Sequence, residues 1–185
     1  GRQLRGNRVK VHLSVGNFIP KPHTPFQWYP LNSTEELQSK LDLLKEGTRR
    51  TGLKLSYNIP DSTLLEAWLS RGDRRLGQVI HRAWQLGAKF DAWGENENKP
   101  IWQQAFTEIG LEPNFYAYRE RALDETLPWD HIHTGVTKAF LLRDLEWSKQ
   151  GKTRKDCREQ CFACGILDSF GKLRPVSPLV YWGCP

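Results

Sequence analysis

The sequence predicts an α/β chain in which one β-α-β unit leads into a mainly helical extension and a cysteine-rich tail. Three observations carry that expectation. A strand-like alternation stands near the start, helical periodicity takes over from Asp61, and the string DCREQCFACG, Asp156 to Gly165, sets three cysteines in the spacing C-x3-C-x2-C. The expected divisions are residues 1–60 for the β-α-β part, 61–150 for the helices and 151–185 for the tail.

In VKVHLSVG, Val9, Val11, Leu13 and Val15 share one face, while Lys10, His12, Ser14 and Gly16 share the other. A period of two marks a strand. The strand runs into IPKPHTPFQWYP, whose four prolines remove backbone donors and are expected to hold an extended, ordered loop. Ser33 followed by Glu36 spells a capping box for a helix with Leu37, Leu41 and Leu44 on its buried stripe. Gly52 is the expected stop, and LKLSYNIP reads as a second strand. Strand, loop, helix and strand in that order are the signature of parallel pairing.

Beyond Asp61 the period lengthens. One helix carries Leu64, Leu65, Trp68 and Leu69, and Arg71–Gly72 breaks it. Asp73 is placed to cap a second helix, with Leu76, Val79, Ile80, Ala83 and Trp84 ahead of Gly87. Pro100 suits the first turn of a third, with Ile101, Trp102, Ala105, Phe106 and Ile109 inward. A last long helix is expected from Val136 to Trp147, with Gly151 after it. One β-α-β unit cannot close a sheet or bury both its faces, so the chain reads as a piece that something else completes.

Composition narrows the function classes. No run of about twenty apolar residues occurs, which argues against a transmembrane helix. The first sixteen residues carry no apolar stretch of signal-peptide length. A cytoplasmic setting follows as the expectation, and thiols there stay reduced. Four cysteines, three of them within eight residues, then read as metal ligands rather than a disulfide framework. The net charge of +6 invites a nucleic-acid reading. The basic residues are scattered among acids, however, with no run of five like charges, as on an ordinary solvated surface.

Thiolates are soft ligands for zinc or iron–sulfur clusters. Cys157, Cys161 and Cys164 form the proposed ligand set. A tetrahedral zinc needs a fourth ligand, for which Cys184, His131 and His133 are the candidates. Reduced thiols without a metal are the plain alternative. The proline loop follows a strand of a β-α-β unit and therefore lies at the carboxyl edge of the sheet, where α/β folds bind ligands. Stiffened by Pro20, Pro22 and Pro25, it is expected to present His23 and Thr24 to a substrate. A basic zinc-knuckle module that binds RNA is the second functional class the composition allows. The tripeptide Arg71–Asp73, RGD, has a capping role that accounts for it, and no nucleophile elbow or phosphate-cradling glycine loop is present.

Four strings together carry a resemblance: GNFIPKPHTPFQW, LLEAWLSRGDRRLGQVIHRAWQLGAKFDAW, LPWDHIHTGVTKAFLLRDLEWS and DCREQCFACG. They look like the C-terminal part of a radical S-adenosylmethionine protein, of a bacterial and cyanobacterial family often bearing an N-terminal cobalamin-binding-like domain. PKPHTPF resembles the loop after the sixth barrel strand of methylthiotransferases. The resemblance implies the last β-α-β portion of a partial (β/α)6 barrel, followed by the helical extension and the tail. It also implies an iron–sulfur protein in which S-adenosylmethionine, and in some members cobalamin, binds elsewhere in the full-length protein. The radical-generating cysteines of the family lie upstream in a barrel loop. The tail cysteines have too little chain after them for a barrel, and Ala163 stands where an aromatic residue is usual. They are therefore expected to hold an auxiliary iron–sulfur cluster or zinc. This chain alone is expected to lack radical activity, its partner being the missing N-terminal barrel.

Overall fold

The computed structural model describes residues 10–60, 62–91 and 98–176. The chain is α/β and mostly helical. It divides into two compact units: residues up to Ile19 with Pro30–Glu120, and Pro20–Tyr29 with the residues from Arg121 on. The proline-rich segment thus leaves the strand-bearing unit and belongs with the C-terminal one.

In the first unit, β1 (His12–Val15) and β2 (Lys54–Tyr57) pair in parallel, with His12 opposite Lys54 and Val15 opposite Tyr57. Among the described residues these two strands are the whole sheet. Leu13 and Val15 are half-buried while His12 and Ser14 are exposed, the alternation a pleated strand requires. Between the strands runs α1 (Thr34–Thr48), opened by the expected capping box. The Glu36 N–H donates to Ser33 Oγ at 3.1 Å, and the Ser33 N–H donates to the Glu36 carboxylate at 2.9 Å. That backbone hydrogen bond from Ser33, followed by one from the Asn32 side chain, pulls the Glu36 carboxyl below its ordinary range. Replacing Ser33 by alanine strips the cap and should cost about 1 kcal/mol of stability in a denaturant titration.

Four helices follow: α2 (Ser62–Arg71), α3 (Leu76–Gln85), α4 (Lys99–Ile109) and α5 (Pro113–Ala117). Helix α3 packs on α4, and α2 packs on α5. Leu64, Trp68, Val79, Trp102, Phe106 and Tyr116 form the centre of their core. Trp68 meets Phe106 edge-on with ring centres 5.1 Å apart, the arrangement that brings a positive ring edge to a negative face. Arg82 of α3 pairs with Glu108 of α4 on the surface. At the α2–α3 corner a Cβ on Gly72 would lie 1.9 Å from Leu76 Cδ1 and 2.8 Å from the Trp68 carbonyl oxygen, so only glycine fits there.

Several sequence expectations are corrected. Leu44, Leu69, Ile80 and Trp84 are exposed, Trp84 by 58%. Periodicity marks the apolar sector of a helix, but the neighbour decides how much of that sector is covered. Trp84 instead stacks on His81, one turn back, at 5.8 Å. Asp73 does not cap α3 directly, since Arg75 occupies the N-cap position. The Asp73 carboxylate accepts from the Arg75 N–H and guanidinium and shapes the turn before the helix. Helix α5 has no counterpart in the sequence reading; it is only five residues long, too short for a periodic pattern to register.

The second unit is built on α6 (Lys138–Lys149), with Thr137 as N-cap, its side chain accepting from the Phe140 N–H at 3.2 Å. The helix therefore starts and ends two residues later than expected. Trp28, Leu127, Trp129, Leu141 and Leu145 form the core. The proline segment is turned rather than extended, with the Gln27 N–H donating to the Thr24 carbonyl and the Tyr29 N–H to the Phe26 carbonyl. Proline's preset φ also suits turns, and the turns let Trp28, 1% exposed, reach this core. The Arg121 N–H donates to the Trp28 carbonyl, and the Arg121 guanidinium lies over the Trp129 ring at 5.2 Å. A short helix α7 (Ile166–Phe170) and a 3-10 turn (Gly171–Val176) complete the unit. Among the described residues no helix is long and apolar enough to cross a membrane.

Candidate functional site

The C-terminal unit contains a cavity of about 320 Å³, lined by His23 and Gln27 of the proline segment and by Asp130, His133, Thr134 and Lys138 around the start of α6. Gln27 is the keystone of its floor. Its Oε1 accepts from Trp129 Nε1 at 2.6 Å and from the His23 backbone N–H at 3.1 Å. His23 is half-buried with φ +56°, a left-handed conformation uncommon for a residue with a side chain. Its Nε2 is buried and has no hydrogen-bond partner among the described residues.

The opposite wall is made by LPWDHIHTGVTK. The Asp130 carboxylate closes the turn by accepting from the Leu127 N–H at 2.9 Å and from Lys138 Nζ at 3.1 Å. Lys138 Nζ also donates to the Glu125 carbonyl at 2.7 Å. The charge of Asp130 is thus matched within the wall. His133 is exposed, and its Nδ1 accepts from the Gly135 N–H at 3.2 Å.

The cysteine tail is fastened to the rim of the same cavity. The Thr137 N–H donates to the Cys164 carbonyl at 2.8 Å. Beside this bond two glycines interlock. A Cβ on Gly165 would stand 2.6 Å from the Gly135 carbonyl oxygen, and one on Gly135 would stand 2.5 Å from Phe170 Cε2. Arg154 adds a second fastening. It pairs with Asp144 of α6 and lies over the rings of Phe140, Trp147 and Phe162 at 5.1, 4.3 and 5.0 Å. At the head of the tail, Arg158 hydrogen bonds, from its side chain first and then its backbone N–H, draw the Asp156 carboxyl down to about 2. Asp156 and Arg158 therefore stay paired across the neutral range.

Of the residues singled out from the sequence, His23 lines the cavity and Thr24 does not. The Thr24 hydroxyl donates to the Lys21 carbonyl at 2.7 Å and serves the turn. His133 lines the cavity, whereas His131 is exposed outside it. Cys157 and Cys161 are exposed free thiols, and Cys164 is half-buried. Cys184 lies outside the described residues. Among the described residues no three His, Cys, Asp or Glu side chains come together as a metal-holding group. Gln27 escaped the sequence reading. Its only signal is an amide set between Phe26 and Trp28, where flanking aromatic burial demands a hydrogen-bond partner.

A stretch of 71 residues is 28% identical to part of an uncharacterized protein of Methanocaldococcus jannaschii, MJ0966. The stretch makes up 38% of this chain and 16% of that protein, so the likeness spans a small part of the relative. No family model matches the chain, and no solved structure matches it.

Proposed function

We propose that the chain is the C-terminal, substrate-side portion of a radical S-adenosylmethionine iron–sulfur protein. In this reading Cys157, Cys161 and Cys164, with Cys184 as a fourth ligand, hold an auxiliary cluster or a zinc ion. The observation that carries the reading is the attachment of the C-x3-C-x2-C segment to the rim of a histidine-lined cavity, through the Thr137–Cys164 bond and the Gly135–Gly165 interlock. An auxiliary centre acts on a substrate only if it is held beside the place where the substrate sits, and this fastening supplies that requirement. Ligation calls for Cys157 and Cys161 to draw toward Cys164. The backbone hydrogen bonds of that stretch are local: the Glu159 and Gln160 N–H groups both donate to the Asp156 carbonyl, so the rearrangement gives up little.

In the complete protein the bound cofactors supply the radical chemistry, and the protein's part is to bind, orient and exclude water. Here His23 and Gln27 hold the inner wall of the cavity, while Asp130 and Lys138 fix the turn that carries His133. Anaerobic reconstitution with iron and sulfide, and separately with zinc, tests the reading by absorption and metal analysis. A single centre retained by the wild type and lost from the triple variant C157A/C161A/C164A is expected. A colourless, metal-free protein whose triple variant melts unchanged overturns the metal site. Zinc binding without iron, together with RNA affinity that falls steeply with salt, replaces it with the zinc-knuckle reading.

A further inference from the structure

The cavity presents hydrogen-bond donors that meet no acceptor among the described residues. Gln27 is 2% exposed, and both groups on its Oε1, an indole N–H and a backbone N–H, only donate. The amide cannot be turned over without setting donor against donor. Its NH2 group is therefore the free end, and no hydrogen bond engages it among the described residues. His133 accepts at Nδ1 from the Gly135 N–H, so its neutral ring carries the proton on Nε2, a second donor. His23 adds a buried Nε2 with no partner among the described residues, on a backbone held in the left-handed region. An unpaired buried polar group and a strained backbone at one residue both recur where ligands bind.

The negative charge in the cavity wall is already matched. Asp130, its one carboxylate, takes the Leu127 N–H and the Lys138 ammonium, both on Oδ2. The wall on that side is the first turn of α6, whose backbone N–H groups and dipole favour negative charge. A cation finds no assembled ligand trio there among the described residues, and an apolar guest leaves the Gln27 and histidine groups unpaired. We infer that this cavity binds a small oxyanion, a carboxylate or a phosphate monoester, held by Gln27 Nε2 and His133 Nε2 with His23 at its back. The size, about 320 Å³, suits a small metabolite-sized ligand. The inference deepens the substrate-side reading of the cavity but uses no cysteine and no metal, so loss of the metal site leaves it standing.

The test follows the histidine ring and Gln27 side-chain NH2 signals of the isotopically labelled full chain by NMR. Inorganic phosphate and acetate are added in separate titrations, with sodium chloride as the ionic-strength control. Saturable shifts at His23, His133 and Gln27, with His131 unmoved, are expected from at least one probe, and the stronger probe identifies the anion class. Gln27→Glu keeps an oxygen for Trp129 and His23 but replaces the free NH2 with negative charge. Its affinity should fall at least about tenfold while the melting temperature holds. Should that variant fail to fold, His133→Ala changes an exposed side chain and is expected to weaken binding several-fold. Shifts no larger than those from sodium chloride, or equal affinity in the folded variants, overturn the inference.

Discussion

Arg71→Leu is expected to destabilise the first unit by roughly 3–5 kcal/mol, read as a lower denaturant midpoint at unchanged slope. Arg71 ends α2 with 0% exposure. Its Nε donates to the Tyr116 carbonyl at 2.9 Å and its Nη2 to the Arg119 carbonyl at 3.0 Å. These carbonyls belong to the end of α5 and the chain just after it, where no further helical turn supplies N–H partners. Leucine fills much of the same volume yet donates nothing, so both acceptors lose their partner, at about 1–3 kcal/mol each. Arg71→Lys should recover only part of the loss, because one ammonium cannot reproduce a planar fork that serves two carbonyls three residues apart. A midpoint for Arg71→Leu equal to wild type removes this account of how α2 and α5 are joined.

Gly165→Ala is expected to cost roughly 2–4 kcal/mol and to release the cysteine tail from the cavity rim. Two penalties combine. The residue sits at φ +106°, and a Cβ there would meet the Gly135 carbonyl oxygen and Thr137 Cγ2, each at 2.6 Å. A carbonyl oxygen cannot swing aside as a side chain can, so the two backbones must part and the Thr137–Cys164 hydrogen bond goes with them. The half-buried Cys164 thiol should then react with a thiol reagent as fast as exposed Cys157 and Cys161, and the Thr137 amide should exchange faster with solvent. Gly135→Ala should be milder, since its nearest contacts are the side-chain ends of Phe170 and Ile166. An unchanged Cys164 labelling rate in Gly165→Ala refutes the interlock.

Both predictions rest on residues that the linear pattern undervalued. Arg71 reads as a helix breaker beside a glycine, because nothing local tells that its guanidinium will be buried against carbonyls 45 and 48 residues away. Nothing in the linear pattern marks Gly135 or Gly165. Their restriction comes from a backbone crossing between segments 30 residues apart.

What the sequence by itself determined is the local grammar. Ser33 and Glu36 announced a helix start and the alternation around Leu13 and Val15 announced a strand, because each depends on neighbours within one or two turns. Strand–helix–strand order announced parallel pairing, because a crossover helix returns the chain to the same end of the sheet. Trp68, Val79, Ala83, Trp102 and Phe106 were legible as core for the same reason, being the centre of their apolar stripes. The width of those stripes was decided only in three dimensions. Leu44, Ile80 and Trp84 stay exposed because no described neighbour covers them. The tertiary structure alone also took the proline segment out of the strand-bearing unit and set Gln27 between His23 and Trp129, a hydrogen bond across 102 residues. Caps and periods are written in bonds that span one turn, whereas a cavity is made by segments distant in the chain, whose meeting depends on which burial wins overall.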